Sequence, residues 1–261
     1  MYVDIVYFAR YVYSVNILLG APMRTAPRPR LDAWLPALLL ATGSLIFLGA
    51  GRHHPIIGPT LGPAGSDEYF RAFAAQMLHM PNWESIHLGI LVGPLLWTLG
   101  VASIARLVSA RATPLAEVGR TALMLGATLW AIAFVLDGYV GPRLAQAIAA
   151  AGVGADALAL KTFSTNQYMM ARLGMLSMVL FGGAILVIGS AMLVESRFRS
   201  WRAVVGGLGV LVGGWPLIAA ARGEFWPGPF TSPYWTATAI TLGVWFLLLG
   251  TAMPRMRPEP T

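Results

Sequence analysis

The amino-acid sequence predicts an all-α fold. It reads as a polytopic transmembrane bundle of about six spanning helices, with short amphipathic helices in the non-cytoplasmic loops. Three observations predict this. The chain is 57% hydrophobic and only 11% charged, with a mean hydropathy of +0.67, whereas soluble domains carry about a quarter charged residues. Six segments approach the roughly 20 apolar residues that a helix needs to cross a bilayer. Lysine and arginine collect in alternate loops, as topology in a membrane requires.

Composition also excludes several classes. There is no cysteine, so disulfides and thiolate metal ligands are ruled out. A net charge of +7 would suggest nucleic acid in a soluble protein. Here nearly all the cations lie outside the apolar runs, and no basic block is interleaved with aromatics. Nucleic acid is therefore not an expected partner, and the lipid bilayer is.

Residues 1–33 form an N-terminal segment and linker. The stretch MYVDIVYFARYVYSVNILLG is rich in aromatic and β-branched residues but carries Asp4 and Arg10. Each charge at a helix centre costs about 2.5–3.5 kcal/mol on insertion, so the segment reads as either interfacial or spanning. It lacks the basic n-region of a signal peptide. APMRTAPRPRLD then follows as a Pro/Arg linker. Residues 34–253 form the six-span domain, and residues 254–261 a cytoplasmic tail.

The spans fall at about Trp34–Gly51, Ser85–Leu107, Thr121–Val140, Tyr168–Val194, Ala203–Ala221 and Tyr234–Met253. The first interval between spans contains SDEYFRAFAAQMLHM (Ser66–Met80). Ser66 suits an N-cap, and Asp67 and Glu68 suit the positive end of a helix. Tyr69, Phe70, Phe73, Ala74, Met77 and Leu78 recur at helical spacing, which predicts a short amphipathic helix. The second long interval, Pro142–Gln167, predicts one or two short helices broken at Gly152–Gly154. The third, Arg222–Trp235, is aromatic and Pro/Gly-rich. Gly89-x-x-x-Gly93 and Gly209-x-x-x-Gly213 predict close helix packing.

With six spans, one side holds Arg10, Arg24, Arg28, Arg30, Arg106, Arg111, Arg120, Arg197, Arg199, Arg202, Arg255 and Arg257. The other holds only Arg52, Arg71, Arg143, Lys161 and Arg222. The positive-inside rule then places both termini in the cytoplasm. The Ala/Gly/Arg-rich composition is associated with a bacterial inner membrane.

Topology brings polar residues to one depth. Span two starts near Glu84, so His87 lies one turn in. Span three ends near Val140, placing Asp137 similarly, and Arg172 lies one turn into span four. At about 1.5 Å per residue these groups share a level, with Asn166 and Gln167 just above. Ionisable groups within spans are costly, usually face the bundle interior and commonly mark sites. An Asp137–Arg172 pair would neutralise two charges, and Asp137, Glu84 or water would hold His87. His87, Asp137, Arg172, Glu84, Asn166 and Gln167 are thus the candidate ligand-binding residues. The competing reading is polar glue between helices.

Metal chemistry would use His87, Glu84 and His79, since imidazole and carboxylate suit zinc, copper or iron. Glu84-x-x-His87 has the spacing of carboxylate di-iron bundles, but its second copy is missing. His53-His54 has no helical ligand spacing and lies far from His87 in sequence. A His/Met haem with Met77, Met80, Met169 or Met170 also stays open, and no cofactor is assigned. No G-x-S-x-G, H-E-x-x-H or phosphate-loop motif is present. The sequence thus leaves open a small-molecule-binding membrane protein, a membrane enzyme for a lipid-soluble substrate, a small transporter, and a structural subunit. A small hydrophobic ligand and an oligomer are both compatible with it.

The phrases W-E-S-I-H-L-G at the head of span two and L-D-G-Y-V-G-P-R-L-A leaving span three resemble bacterial six-span membrane proteins known as domains of unknown function. The resemblance covers about Trp34–Met253. It implies a compact helical bundle and no established activity, and points to Trp83, His87, Asp137 and Gly138.

Overall fold

The computed structural model describes residues 31–54, 61–63, 65–104, 108, 111–151, 156–195, 200–222 and 233–255. The N-terminal stretch, the Gly152–Gly154 break, most of the third interval and the end of the tail lie outside the described residues. Among the described residues there are helices and no strands. They are α1 (Leu31–His53), α2 (Asp67–His79), α3 (Trp83–Val101), α4 (Thr113–Val135), a π-helical turn (Leu136–Val140), α5 (Gly141–Ala150), α6 (Ala157–Glu195), α7 (Trp201–Ala221) and α8 (Pro233–Ala252).

Six helical stretches are long and apolar enough to cross a membrane, and the molecule is an integral membrane protein on that ground. Two of them are longer than the sequence predicts. Thr113–Ala150 runs as one helical stretch through the π-turn, and Ala157–Val194 is a second, each of 38 residues. At about 1.5 Å per residue both exceed the roughly 30 Å hydrocarbon core. Their overhanging ends, α5 and the first turns of α6, are the short helices predicted between spans three and four.

The overhang builds a cap. Ser66 accepts a hydrogen bond from the Tyr69 amide at 3.1 Å, so α2 starts where the sequence places it. Tyr69, Phe70, Phe73, Ala74 and Met77 are buried, as the spacing predicts, while Leu78 stays exposed. This face packs on Trp83, Ala145, Leu160 and Phe163, forming a core of its own. Arg71 pairs with Asp156 across it. Burial, with Tyr168 adding to it, pushes the Tyr69 phenol up to about 12.

Within the bundle proper the hydrophobic effect gives little preference for helix over lipid, so association rests on close backbone approach and polar contacts. Glycines supply the first. Gly189 on α6 faces Gly206 on α7, and Gly182 faces Gly213, seven residues along each helix. A Cβ on Gly213 would sit 2.5 Å from the Gly182 carbonyl oxygen. On α3, a Cβ on Gly93 would lie 2.6 Å from Phe47 Cβ of α1, so the Gly89/Gly93 pair packs against a neighbouring helix as predicted.

Indole N–H groups supply many of the polar contacts. Trp97 donates to Ser44 Oγ of α1 at 3.1 Å, Trp245 to the Val205 carbonyl of α7 at 3.0 Å, and Trp130 to the Ile90 carbonyl of α3 at 3.0 Å. The last follows from sequence. Pro94 stands four residues after Ile90 and has no N–H, so that carbonyl lacks its helical donor. Around these bolts pack Phe47, Phe181 and Phe246, with Trp97 stacked on Phe246 at 4.4 Å.

Gly213→Ala should lower the stability of the detergent-solubilised protein by about 1–3 kcal/mol, because backbone atoms cannot yield to the new methyl. Gly207→Ala is the control, since a Cβ there meets nothing within 4 Å. It should be neutral or raise stability by up to about 1 kcal/mol in the same thermal-unfolding measurement.

Candidate functional site

The site grows out of LDGYVGP, at the junction of α4 and α5. In a regular α-helix the Gly141 N–H would bond Asp137. Instead it reaches back one residue further, to the Leu136 carbonyl, and a π-turn forms. The next amide belongs to Pro142, which has no N–H. The Asp137 carbonyl is therefore left without either backbone donor. The Trp83 indole fills the gap, donating to Asp137 O at 3.0 Å. Asn166 of α6 secures the turn from the other side, its Nδ2 donating to Leu136 O at 3.1 Å.

The turn aims the Asp137 carboxylate at α3. His87 Nε2 lies 2.9 Å from Asp137 Oδ2, and both side chains are buried. Among the described residues no other imidazole or carboxylate is buried. His87 Nδ1 lies 2.7 Å from the Trp83 carbonyl, which can only accept, so Nδ1 carries a proton. Trp83 thus grips both partners, His87 through its carbonyl and Asp137 through its indole. Its ring also stacks on the imidazole, with centroids 4.5 Å apart. Phe134 closes another side at 5.7 Å.

One proton lies along the Nε2–Oδ2 line. The pair is either imidazolium with carboxylate or neutral imidazole with carboxylic acid. Asp137 Oδ1 is buried and has no hydrogen-bond partner among the described residues. Leaving such a group unmatched costs about 1–3 kcal/mol. Gly138 makes the approach of the two helices possible, because a Cβ there would lie 2.6 Å from His87 Cβ.

Of the residues named from sequence, the structure brings together His87 and Asp137, with Asn166 on the adjoining turn. Gln167 is fully buried beside Gly141, and neither of its amide atoms has a partner among the described residues. Arg172 and Glu84 are exposed, whereas His87 and Asp137 are buried. His79 is exposed and donates to its own helix at Ala75 O, 2.6 Å away. Sequence reasoning set His54 aside, for want of helical ligand spacing and for its distance from His87 in the chain. It follows the last residue of α1 and is half-buried, with its ring 5.0 Å from His87 and 6.0 Å from Trp83. No periodicity could have assigned it, because it lies beyond a helix end. An open depression of about 510 Å³ adjoins this end of α1 and α3, lined in part by His53, Asn82, Ser85 and Ile86.

Comparison of the chain with protein-family models, curated proteins and solved structures returns no match in any of the three.

Trp83→Phe keeps a ring in place but removes the indole N–H from Asp137 O. Thermal unfolding in detergent should show a loss of about 1–3 kcal/mol. Trp34→Phe, at an exposed ring, should change stability by less than about 0.5 kcal/mol.

Proposed function

We propose that this integral membrane protein binds a small molecule or cofactor at the His87–Asp137 pair. One observation carries the reading: a buried imidazole and carboxylate meet at 2.9 Å while Asp137 Oδ1 has no partner among the described residues. Ionisable groups set among apolar helices are costly and tend to mark sites. A pair serving only to join helices gains nothing from an oxygen left unmatched. Trp83 and Phe134 suit a ligand with an apolar part, and His87 with Asp137 suits a polar or ionisable end.

The orientation follows from charge. Twelve of the eighteen lysines and arginines fall on one side of a six-span arrangement, which supports cytoplasmic termini. The pair then lies at the end of the bundle away from the cytoplasm, and the composition supports a bacterial inner membrane.

The chain has no cysteine, so single cysteines report topology cleanly. Ser85→Cys should be labelled by a membrane-impermeant maleimide on intact cells, and Arg111→Cys only after permeabilisation. The reverse pattern would invert the orientation. For the ligand, small molecules and elements co-purifying with wild type should be compared by mass spectrometry with those from His87→Ala and Asp137→Asn. At least a tenfold loss of one species is expected. Variants that lower only the unfolding temperature, with the bound species unchanged, would show that the pair is a helix bolt.

A further inference from the structure

The geometry points to a divalent transition-metal site formed by His54, His87 and Asp137, with zinc as its reference ion. The inference deepens the ligand-binding reading above and rests on it. One ligand atom from each residue lies within 4.8 Å of the others. His87 Nε2 and Asp137 Oδ2 stand 2.9 Å apart, and tetrahedral zinc with bonds of about 2.0–2.1 Å needs donors about 3.3 Å apart. A metal ion would take the place of the proton now shared by those atoms, with only a small opening of the pair. His54, just past the end of α1, closes in from the third side.

The surroundings are those of a metal ligand set rather than of a simple ion pair. His87 donates its Nδ1 proton to the Trp83 carbonyl at 2.7 Å, which leaves Nε2 as the ring nitrogen that faces Asp137 and would bind a metal. Metal-bound histidines are oriented in this way by a hydrogen bond to the other ring nitrogen. Asp137 is held at its backbone by the same tryptophan. Its Oδ1, without a hydrogen-bond partner among the described residues, can accept from a water on the metal or join the coordination.

The donor set selects the ion. Two imidazoles and one carboxylate, with no thiolate in the chain, favour zinc, iron(II), cobalt(II) or nickel over soft copper(I). Three protein donors leave at least one position for water or another ligand, the arrangement of reactive rather than purely structural zinc sites. A divalent ion also neutralises the carboxylate that the apolar helices would otherwise hold as a buried charge.

The test uses the full chain, purified in detergent, stripped with a chelator and dialysed against defined Zn2+. Elemental analysis should find about one zinc per chain, with affinity reduced at least tenfold in His54→Ala, His87→Ala and Asp137→Asn. His53→Ala and His79→Ala should bind as wild type does. Co2+ should give d–d absorption bands that the same three substitutions abolish. Should His87→Ala or Asp137→Asn fail to fold, His54→Ala decides, since His54 is only half-buried at a helix end. Wild type that binds no zinc or cobalt, or His54→Ala that binds both as wild type does, overturns the inference. An organic species lost from the His87 and Asp137 variants without any metal would overturn the metal site alone. No bound species of either kind depending on the pair would remove both readings.

Discussion

The junction of α3 with the π-turn depends on one hydrogen bond, from the Trp83 indole to the Asp137 carbonyl. That carbonyl is orphaned by local chemistry: the π-turn diverts the Gly141 N–H, and Pro142 has none to give. In an apolar bundle an unmatched carbonyl is expensive. Sequence therefore creates a vacancy on one helix, and a tryptophan on another must fill it. Once filled, the vacancy fixes how α3 lies against the π-turn. That register brings His87 to the Asp137 carboxylate and lets Gly138 pass beneath its Cβ.

The same logic recurs deeper in the bundle. Pro94 empties Ile90 O and Trp130 of α4 fills it. Helices in lipid have no hydrophobic reason to prefer one another, so such directional contacts choose the pairing. Glycine faces do the complementary work. They let α6 and α7 come close enough for backbone to meet backbone, and α1 and α3 likewise. Proline and glycine, usually read as helix breakers, here specify which helix meets which. The first creates a directional demand, and the second removes the bulk that would prevent contact.

Position along the helices was legible in the sequence, and azimuth was not. The six spans, the α2 stripe and the shared level of His87 and Asp137 all follow from apolar length and a fixed rise per residue. Which way a side chain points round a helix needs an amphipathic pattern, and spans that are apolar all round carry none. Arg172 shows the consequence. It is exposed on α6, and the partner that the Asp137 carboxylate meets is His87. The length of the two 38-residue helices was hidden for a related reason. Their overhanging ends are polar enough to read as loop, yet they are held helical by packing on α2. His54 was illegible for a third reason. Its position depends on where α1 ends and how α1 crosses α3, a tertiary fact set by the Gly43 and Gly93 contact.

A helix bolt and a site differ in what they need from their residues. To lock α3 to the π-turn, the Trp83 indole already reaches across the junction to the Asp137 carbonyl. Adding a carboxylate and an imidazole brings a titratable proton and a desolvation cost that a neutral pair would avoid, and buried ion pairs are poor sources of net stability. Three junctions among the described residues are made in that cheaper way, by indoles on Ser44, Ile90 and Val205. Chemistry in excess of what packing requires is concentrated at the capped end of the bundle. There His54 adds a second imidazole within reach of the first. That local surplus sets the His87–Asp137 pair apart, in its chemistry, from the neutral indole junctions described elsewhere in the bundle.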